Sequence, residues 1–311
     1  MKNSKIIVTG GAGFIGSNLS RRLIKDKNKV IIIDDLSSGN YNNIKDLQKT
    51  GQVEFIKGTI TDLNLLKKTF KEADYVFHQA AIASIPKSIE DPIKSNDVNV
   101  NGTLNVLVAA RENNVKKVIF ASSCAIYGDK PTLPKNEDMM PHPIAPYSAN
   151  KLTAEYYCNV FTKVYDLKTI ALRYFNVYGP RQDPNGDYAA VIPKFISMVL
   201  KNKPPVIFGD GLQTRDFIYV TDVVNANITA AESKETGIFN IAGGKQVSIN
   251  EIVKNIMQIT GKNLQPVYKK PRIGDIIHSY ADISKAREKL KFEPQFSLKD
   301  GLKETINWFQ P

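Results

Sequence analysis

Thr9-Gly10-Gly11-Ala12-Gly13-Phe14-Ile15-Gly16 decides the fold of this chain. The short apolar run Lys5–Val8 precedes it, and Ile15–Lys25, with apolar residues at helical spacing, follows it. Glycines at 10, 13 and 16 let the backbone turn sharply, approach a pyrophosphate and pack a helix closely on a strand. The start of the helix then offers unpaired N–H groups and a positive dipole end to the phosphates. A glycine pattern alone is weak evidence; a strand before it and a helix after it make a merely structural turn the poorer reading. The next apolar run, Val30–Ile33, ends at Asp34, 24 positions after Gly10. A carboxylate there hydrogen-bonds the adenosine ribose and repels a 2′-phosphate, which favours NAD over NADP.

Outward from this loop the pattern repeats. Val53–Ile56, Tyr75–His78, Val118–Ala121 and Thr169–Leu172 are short apolar runs, as parallel strands covered on both faces require. Leu63–Phe70, Thr103–Arg111 and Tyr147–Val164 have helical spacing between them. This alternation predicts an α/β fold, a Rossmann-like doubly wound parallel sheet. After Phe175, Gly and Pro punctuate the chain more densely. We therefore expect a nucleotide-binding domain over 1–175 and a smaller mixed α/β substrate-binding domain over 176–311. Segments near 217–242, namely Phe217–Val220 and Phe239–Ile241, are expected to rejoin the first sheet.

The chain has 311 residues and a net charge of +11, carried mostly by scattered lysines such as Lys67-Lys68 and Lys116-Lys117. No basic tail or arginine run suggests nucleic acid, and the surplus fits a solvated surface or a phosphate-bearing ligand. Cys124 and Cys158 build no disulfide framework, and His78, His142 and His278 form no metal-ligand pattern, so no metal is expected. No apolar run approaches the ~20 residues of a membrane span, and the N-terminus lacks a signal-peptide core. These features point to a cytoplasmic protein with no membrane partner.

Tyr147-Ser148-Ala149-Asn150-Lys151 places a tyrosine and a lysine four apart on one helical face. A free tyrosine titrates near ~10 and is a poor base at neutral pH. A neighbouring ammonium, joined by the charge of a nicotinamide, would favour the phenolate and make a proton acceptor for a sugar hydroxyl. Such a pair is common by chance and gains its meaning from the upstream cofactor loop. Ser122-Ser123-Cys124 closes the run Val118–Ala121, where a hydroxyl faces the ligand crevice of a doubly wound sheet.

With these residues in view, the chain resembles the extended short-chain dehydrogenase/reductase family over nearly its whole length. TGGAGFIG at 9–16, Asp34, His78-Gln79-Ala80-Ala81, Asn99-Val100-Asn101-Gly102-Thr103, SSCAIYG at 122–128, YSANK at 147–151 and RYFNVYGPRQDP at 173–184 carry the resemblance. Gly209-Asp210-Gly211, Arg215-Asp216-Phe217 and Arg272-Ile273-Gly274-Asp275 complete it. The resemblance implies an enzyme acting on nucleotide-linked sugars. It makes Tyr147 the base, sets Lys151 on the nicotinamide ribose and has Ser123 assist at the sugar O4. It places Gly10, Gly13, Phe14, Ile15, Gly16, Asp34, Ile60, Gln79, Ala80, Ala81, Ala83, Asn99 and Phe175 around NAD, with Tyr147 and Lys151. Relatives commonly carry Asp where this chain has Thr59, which leaves the adenine to the backbone of Ile60. For a UDP-sugar, the resemblance assigns Asn176 and Val191 to the diphosphate and uridine, Phe208 to the uracil, Arg215 and Arg272 to the diphosphate and Asp275 to the uridine ribose. It also implies a homodimer through helices near 103–112 and 147–164.

Related dehydratases follow the catalytic Ser/Thr with Asp-Glu, and decarboxylases with Glu; here those positions are Cys124 and Ala125, which cannot shuttle a proton as a carboxylic acid would. The resemblance therefore implies reversible C4 epimerisation of a UDP-hexose. His78–Pro86 and Arg181–Pro184 resemble enzymes that prefer UDP-GlcNAc and UDP-GalNAc. In that subgroup Ser84, Gln182 and Ala190 line the acetamido pocket, and Ser279 stands at a gate where many relatives have a bulky Tyr, leaving volume for an N-acetyl group. UDP-glucose/UDP-galactose is the alternative, followed by UDP-glucuronate, for whose carboxylate the sequence offers no evident cationic site.

Overall fold

The computed structural model describes residues 1–185, 190–271 and 276–310. The repeated Val/Ile runs become strands: β1 (Lys5–Thr9), β2 (Lys29–Asp34), β3 (Val53–Lys57), β4 (Tyr75–His78), β5 (Lys117–Ser123) and β6 (Thr169–Tyr174). A seventh strand, Gly237–Ile241, closes the edge beside β6. The sheet runs in the order seventh strand, β6, β5, β4, β1, β2, β3, with every neighbouring pair parallel. Strand order reverses between β1 and β4, which opens the ligand crevice at the carboxyl ends of those strands. The register brings Thr9 level with both Ile33 and His78, and Ser123 level with Tyr174.

Alternation along the strands sends side chains to two cores. Ile6, Val8, Val30 and Ile32 join Leu19 and Leu23 of helix α1 (Phe14–Lys25) and Val223 of the helix Val220–Glu232. Ile7, Ile31 and Ile33 face the other side, with Leu66, Val106, Ala154 and Phe161 from helices Leu63–Thr69, Gly102–Glu112 and Pro146–Tyr165. A third core gathers Ile192, Phe195 and Val199 of the helix Val191–Leu200, Ile252 and Ile256 of the helix Ile249–Thr260, and Leu302 and Ile306 of the helix Leu298–Phe309. Three short strand pairs border this third core: Asn176–Tyr178 with Phe217–Tyr219, Val206–Phe208 with Val267–Lys269, and Thr214–Arg215 with Val247–Ser248.

One expectation needs correction. Phe239–Ile241 does join the main sheet, but Phe217–Tyr219 does not; it pairs with Asn176–Tyr178. In the folded sheet both edges of β6 are taken, by β5 and by the seventh strand, and Phe217–Tyr219 pairs instead with Asn176–Tyr178, the short strand that follows β6. Among the described residues no helix is long and apolar enough to cross a membrane.

Candidate active site

A cavity of about 840 Å³ opens along the carboxyl edge of the sheet. It runs from Asp34 and Gly39, past Gly10, Gly13, Phe14, Ile15 and Gly16, to Ser123, Tyr147 and Lys151. The glycine loop forms one wall. Gly10 has φ +68°, and a Cβ there would lie 2.6 Å from the Ala80 nitrogen; one on Gly16 would run into the Gly10 carbonyl. Side chains are therefore excluded from this turn on steric grounds. Helix α1 starts after Gly13 with no side-chain cap, so its first turn presents backbone N–H groups to the cavity.

Asp34 is 7% exposed. Its two oxygens accept the Ala12 N–H at 2.9 Å and the Leu36 N–H at 2.8 Å. Burial pushes the carboxyl above the usual carboxylate range, and those two N–H groups pull it back. A Cβ on Gly39 would sit 2.7 Å from the Asp34 Oδ1, so the carboxylate lies at the floor of a notch that only glycine keeps open. Thr59 lines the same end, its hydroxyl 3.0 Å from that of Thr61. Ile60 stands beside it.

Gln79 to Ser84 form the facing wall. Gln79 Nε2 donates to the Tyr174 hydroxyl and to Asn227 Oδ1, both at 3.2 Å. Asn99 stands behind this wall: its Oδ1 accepts the Ile82 N–H at 2.8 Å and its Nδ2 donates to the Ile82 carbonyl at 3.2 Å. It shapes the segment that faces the cavity and does not itself line it. A parallel brace was missed in the sequence. His78, buried and held neutral by desolvation with its imidazole pulled down to about 3, lies 2.7 Å from the Thr9 hydroxyl and 2.9 Å from that of Thr103. Thr103 already donates to the Asn99 carbonyl, so it accepts from His78 Nε2. His78 Nδ1 is then the acceptor for Thr9.

The catalytic candidates meet at the far end. The helix Pro146–Tyr165 starts with Pro at its first position, and the Ser148 hydroxyl accepts the Ala145 N–H at 3.1 Å. This start fixes Tyr147 in the first turn, with its N–H on the Ser88 hydroxyl at 3.0 Å. Ser123, at the end of β5, hydrogen-bonds the Tyr147 phenol. Lys151 is 3% exposed; its Nζ donates to the Ala121 carbonyl at 2.7 Å and lies 5.9 Å from the Tyr147 ring centroid. Burial lowers the ammonium to about 8. Burial also raises the phenol to about 12, with Ser123 pulling the other way. The expectation joined the ammonium to the charge of a nicotinamide; with Lys151 alone the phenol stays raised. At this separation desolvation outweighs the ammonium, and lowering the phenol requires a second cation in the cavity.

Phe175 and Gln182 also line the cavity, beyond the catalytic group. Gln182 Nε2 donates to the Val177 carbonyl at 3.2 Å, while its Oε1 is buried with no hydrogen-bond partner among the described residues. Asn176, Ala190, Val191, Phe208, Arg215 and Ser279 stand outside the cavity wall, among the elements bordering the third core. Arg215 Nη1 donates to the Thr214 carbonyl at 2.9 Å and the Ile277 carbonyl at 3.3 Å. The Ser279 N–H donates to the Thr214 carbonyl at 3.2 Å, which sets Ser279 beside Arg215; it is 9% exposed. Asp216, also missed, knits this region together. Its carboxylate accepts from the Gly243, Gly244 and Ala281 N–H groups, and burial raises it to about 7. Arg272 and Asp275 lie outside the described residues.

The cradle fits a dinucleotide. The glycine turn leaves room for a pyrophosphate, the notch at Asp34 suits a ribose diol, and Lys151 and Tyr147 stand where the cavity ends. Comparison with known proteins agrees. The profile of the NAD dependent epimerase/dehydratase family matches residues 6–242. A putative UDP-glucose 4-epimerase of Methanocaldococcus jannaschii is 43% identical, covering 98% of each chain. The structure of a UDP-N-acetylglucosamine 4-epimerase from Methanobrevibacter ruminantium M1, in complex with UDP-N-acetylmuramic acid, superposes with a TM-score of 0.96 at 45% identity over 99% of each chain. A UDP-glucuronic acid 4-epimerase from Bacillus cereus, solved with UDP-glucuronic acid and NAD, gives 0.90 at 35% over 98% of each. The chain belongs to the NAD dependent epimerase/dehydratase family, and NAD is its cofactor.

Proposed function

We propose that this NAD-dependent UDP-sugar 4-epimerase interconverts UDP-GlcNAc and UDP-GalNAc. The observation that carries the choice of sugar is the Gln182 Oε1, a buried acceptor without a donor among the described residues, in a cavity lined also by Ser84. A buried acceptor left unpaired costs roughly 1–3 kcal/mol, and an acetamido N–H supplies the missing donor. The small, buried Ser279 beside Arg215 supports the same reading, because a larger side chain there would take the volume of an N-acetyl group. UDP-glucose is the second reading: its 2-hydroxyl also donates to Gln182, and the Methanocaldococcus relative carries that name.

NAD, when bound, supplies an acceptor for the C4 hydride and later returns it. The chain's own groups handle the proton and the geometry. Tyr147 takes the proton from O4 and gives it back, and Ser123, bonded to that phenol, shares the O4 hydroxyl. Lys151 holds positive charge beside the phenol and would hold the nicotinamide ribose. Arg215, with Arg272 and Asp275, grips the UDP, so that the sugar can turn about its link to the diphosphate without leaving. Asn176, Val191 and Phe208 frame the nucleotide and Ala190 the sugar. The region from 176 onward, apart from the helix Val220–Glu232 and the strand Gly237–Ile241 that belong with the main sheet, is thus the UDP-sugar domain, and 1–175 with those segments the NAD domain.

Incubation with UDP-GlcNAc, UDP-glucose and UDP-glucuronate in parallel, with chromatography of the products, tests this reading. UDP-GalNAc is expected as the fastest-forming product. Ser279→Tyr should depress the N-acetylated reaction selectively, and Tyr147→Phe should abolish turnover with the fold intact. Faster conversion of UDP-glucose, or equal losses in Ser279→Tyr, would remove the sugar assignment; turnover by Tyr147→Phe would remove the base.

A further inference from the structure

Behind the catalytic group lies a second set of charges that the reaction does not use. Glu155 follows Lys151 by one helical turn, and its side chain is fully buried. Arg173, near the carboxyl end of β6, is 2% exposed. The two form a bidentate pair, Nε to Oε1 at 3.0 Å and Nη2 to Oε2 at 2.8 Å. The Ser122 hydroxyl donates to the same Glu155 Oε1 at 2.5 Å. Arg173 Nη1 donates to the Tyr127 hydroxyl at 2.9 Å, which donates in turn to Asn240 Oδ1 at 2.7 Å. Asn240 lies in the seventh strand, and its Nδ2 holds the Lys135 carbonyl at 2.9 Å.

We propose that the buried Glu155–Arg173 pair, clamped by Ser122 and Tyr127, is a positioning device that fixes Ser123 and Lys151 against Tyr147. Ser122 lies between Ala121, whose carbonyl receives the Lys151 ammonium, and Ser123, which bonds the Tyr147 phenol. A shift of the β5 end therefore moves both catalytic contacts together. Glu155 holds that strand end from the helix that carries Tyr147 and Lys151, and Arg173 ties Glu155 to the neighbouring strand. Buried ion pairs contribute little net stability over apolar packing, and one well-attested use is to fix a single geometry.

The carboxylate also acts through space. Around Lys151 stand Tyr147, Glu155 and Cys158 on its own helix, the Phe120 ring and Ala121 carbonyl on β5, and neutral His78 on β4. Burial lowers this ammonium, and the charge of Glu155 is among the influences that hold it up. Turnover requires the ammonium form, so activity falls as pH rises through the lysine's titration. Without the Glu155 charge that fall begins at lower pH.

The test compares holoenzymes, wild type and Glu155→Gln, by kcat across neutral to alkaline pH beside thermal unfolding. Glu155→Gln is expected to lower kcat about tenfold or more and to move the alkaline limb down by about one pH unit. The charge-keeping Glu155→Asp should return the limb to its place while kcat stays low. If Glu155→Gln does not fold, the double variant Glu155→Gln with Arg173→Met leaves no lone buried cation and is expected to show the same displaced limb. A wild-type limb in the folded variant, whatever its melting temperature, overturns the proposal. It rests on the assignment of Tyr147 and Lys151 above. Turnover by Tyr147→Phe defeats that assignment, whereas an unmoved limb defeats only the role of Glu155.

Discussion

Asp34 does two things with one carboxylate. It fastens the glycine loop through the Ala12 N–H and its own turn through the Leu36 N–H, and it forms the floor of the notch at Gly39. Asp34→Ala should weaken NAD by roughly 1.5–3 kcal/mol, the worth of a charged hydrogen bond, and should improve acceptance of NADP. Cofactor content of the purified variant and its titration with both nucleotides check this; undiminished NAD affinity would contradict it. The position of Asp34 was legible because a strand end after a glycine loop has one stereochemical use. The state of Tyr147 was not. Spacing placed Lys151 one turn away, but only the fold shows the ammonium aimed at the Ala121 carbonyl and the phenol raised to about 12 by burial. The partnership of Glu155 and Arg173 was also hidden. The signals were an acid one turn past Lys151 and an arginine inside an apolar strand, and neither names the other without the sheet order.

The helix Pro146–Tyr165 works on two faces. Ser148, Lys151, Ala154, Glu155 and Cys158 are buried inward, while Tyr156, Val160 and Val164 form an exposed apolar stripe at a spacing of four. Such a stripe on a helix suits burial against a second copy of the same surface, as the family resemblance implies for the helices near 103–112 and 147–164. Val160→Glu should convert a dimer to monomer in sedimentation with little loss of secondary structure. A wild-type protein that sediments only as monomer would contradict the dimer. The element's limits were readable to within a residue at each end, because Pro146 starts the helix and Asp166 ends it in a left-handed turn.

Across the whole molecule, legibility follows the length of the apolar pattern. The six leading strands and their helices each carry enough Val, Ile and Leu to declare a period, and the strand order then follows from right-handed crossovers. The region around the third core is built from strands of two or three residues, too short to show any period. There Phe217–Tyr219 was sent to the wrong sheet, and Asp216, which pins three backbone N–H groups, was quoted in a motif but given no role. The proposed function joins the two halves in three events: a proton passed at Tyr147, a hydride removed and restored at C4, and a nucleotide held throughout. UDP-GlcNAc carrying deuterium at C4 measures this directly. The account predicts UDP-GalNAc that keeps the deuterium at C4, delivered to the opposite face; product whose C4 hydrogen comes from solvent would contradict it.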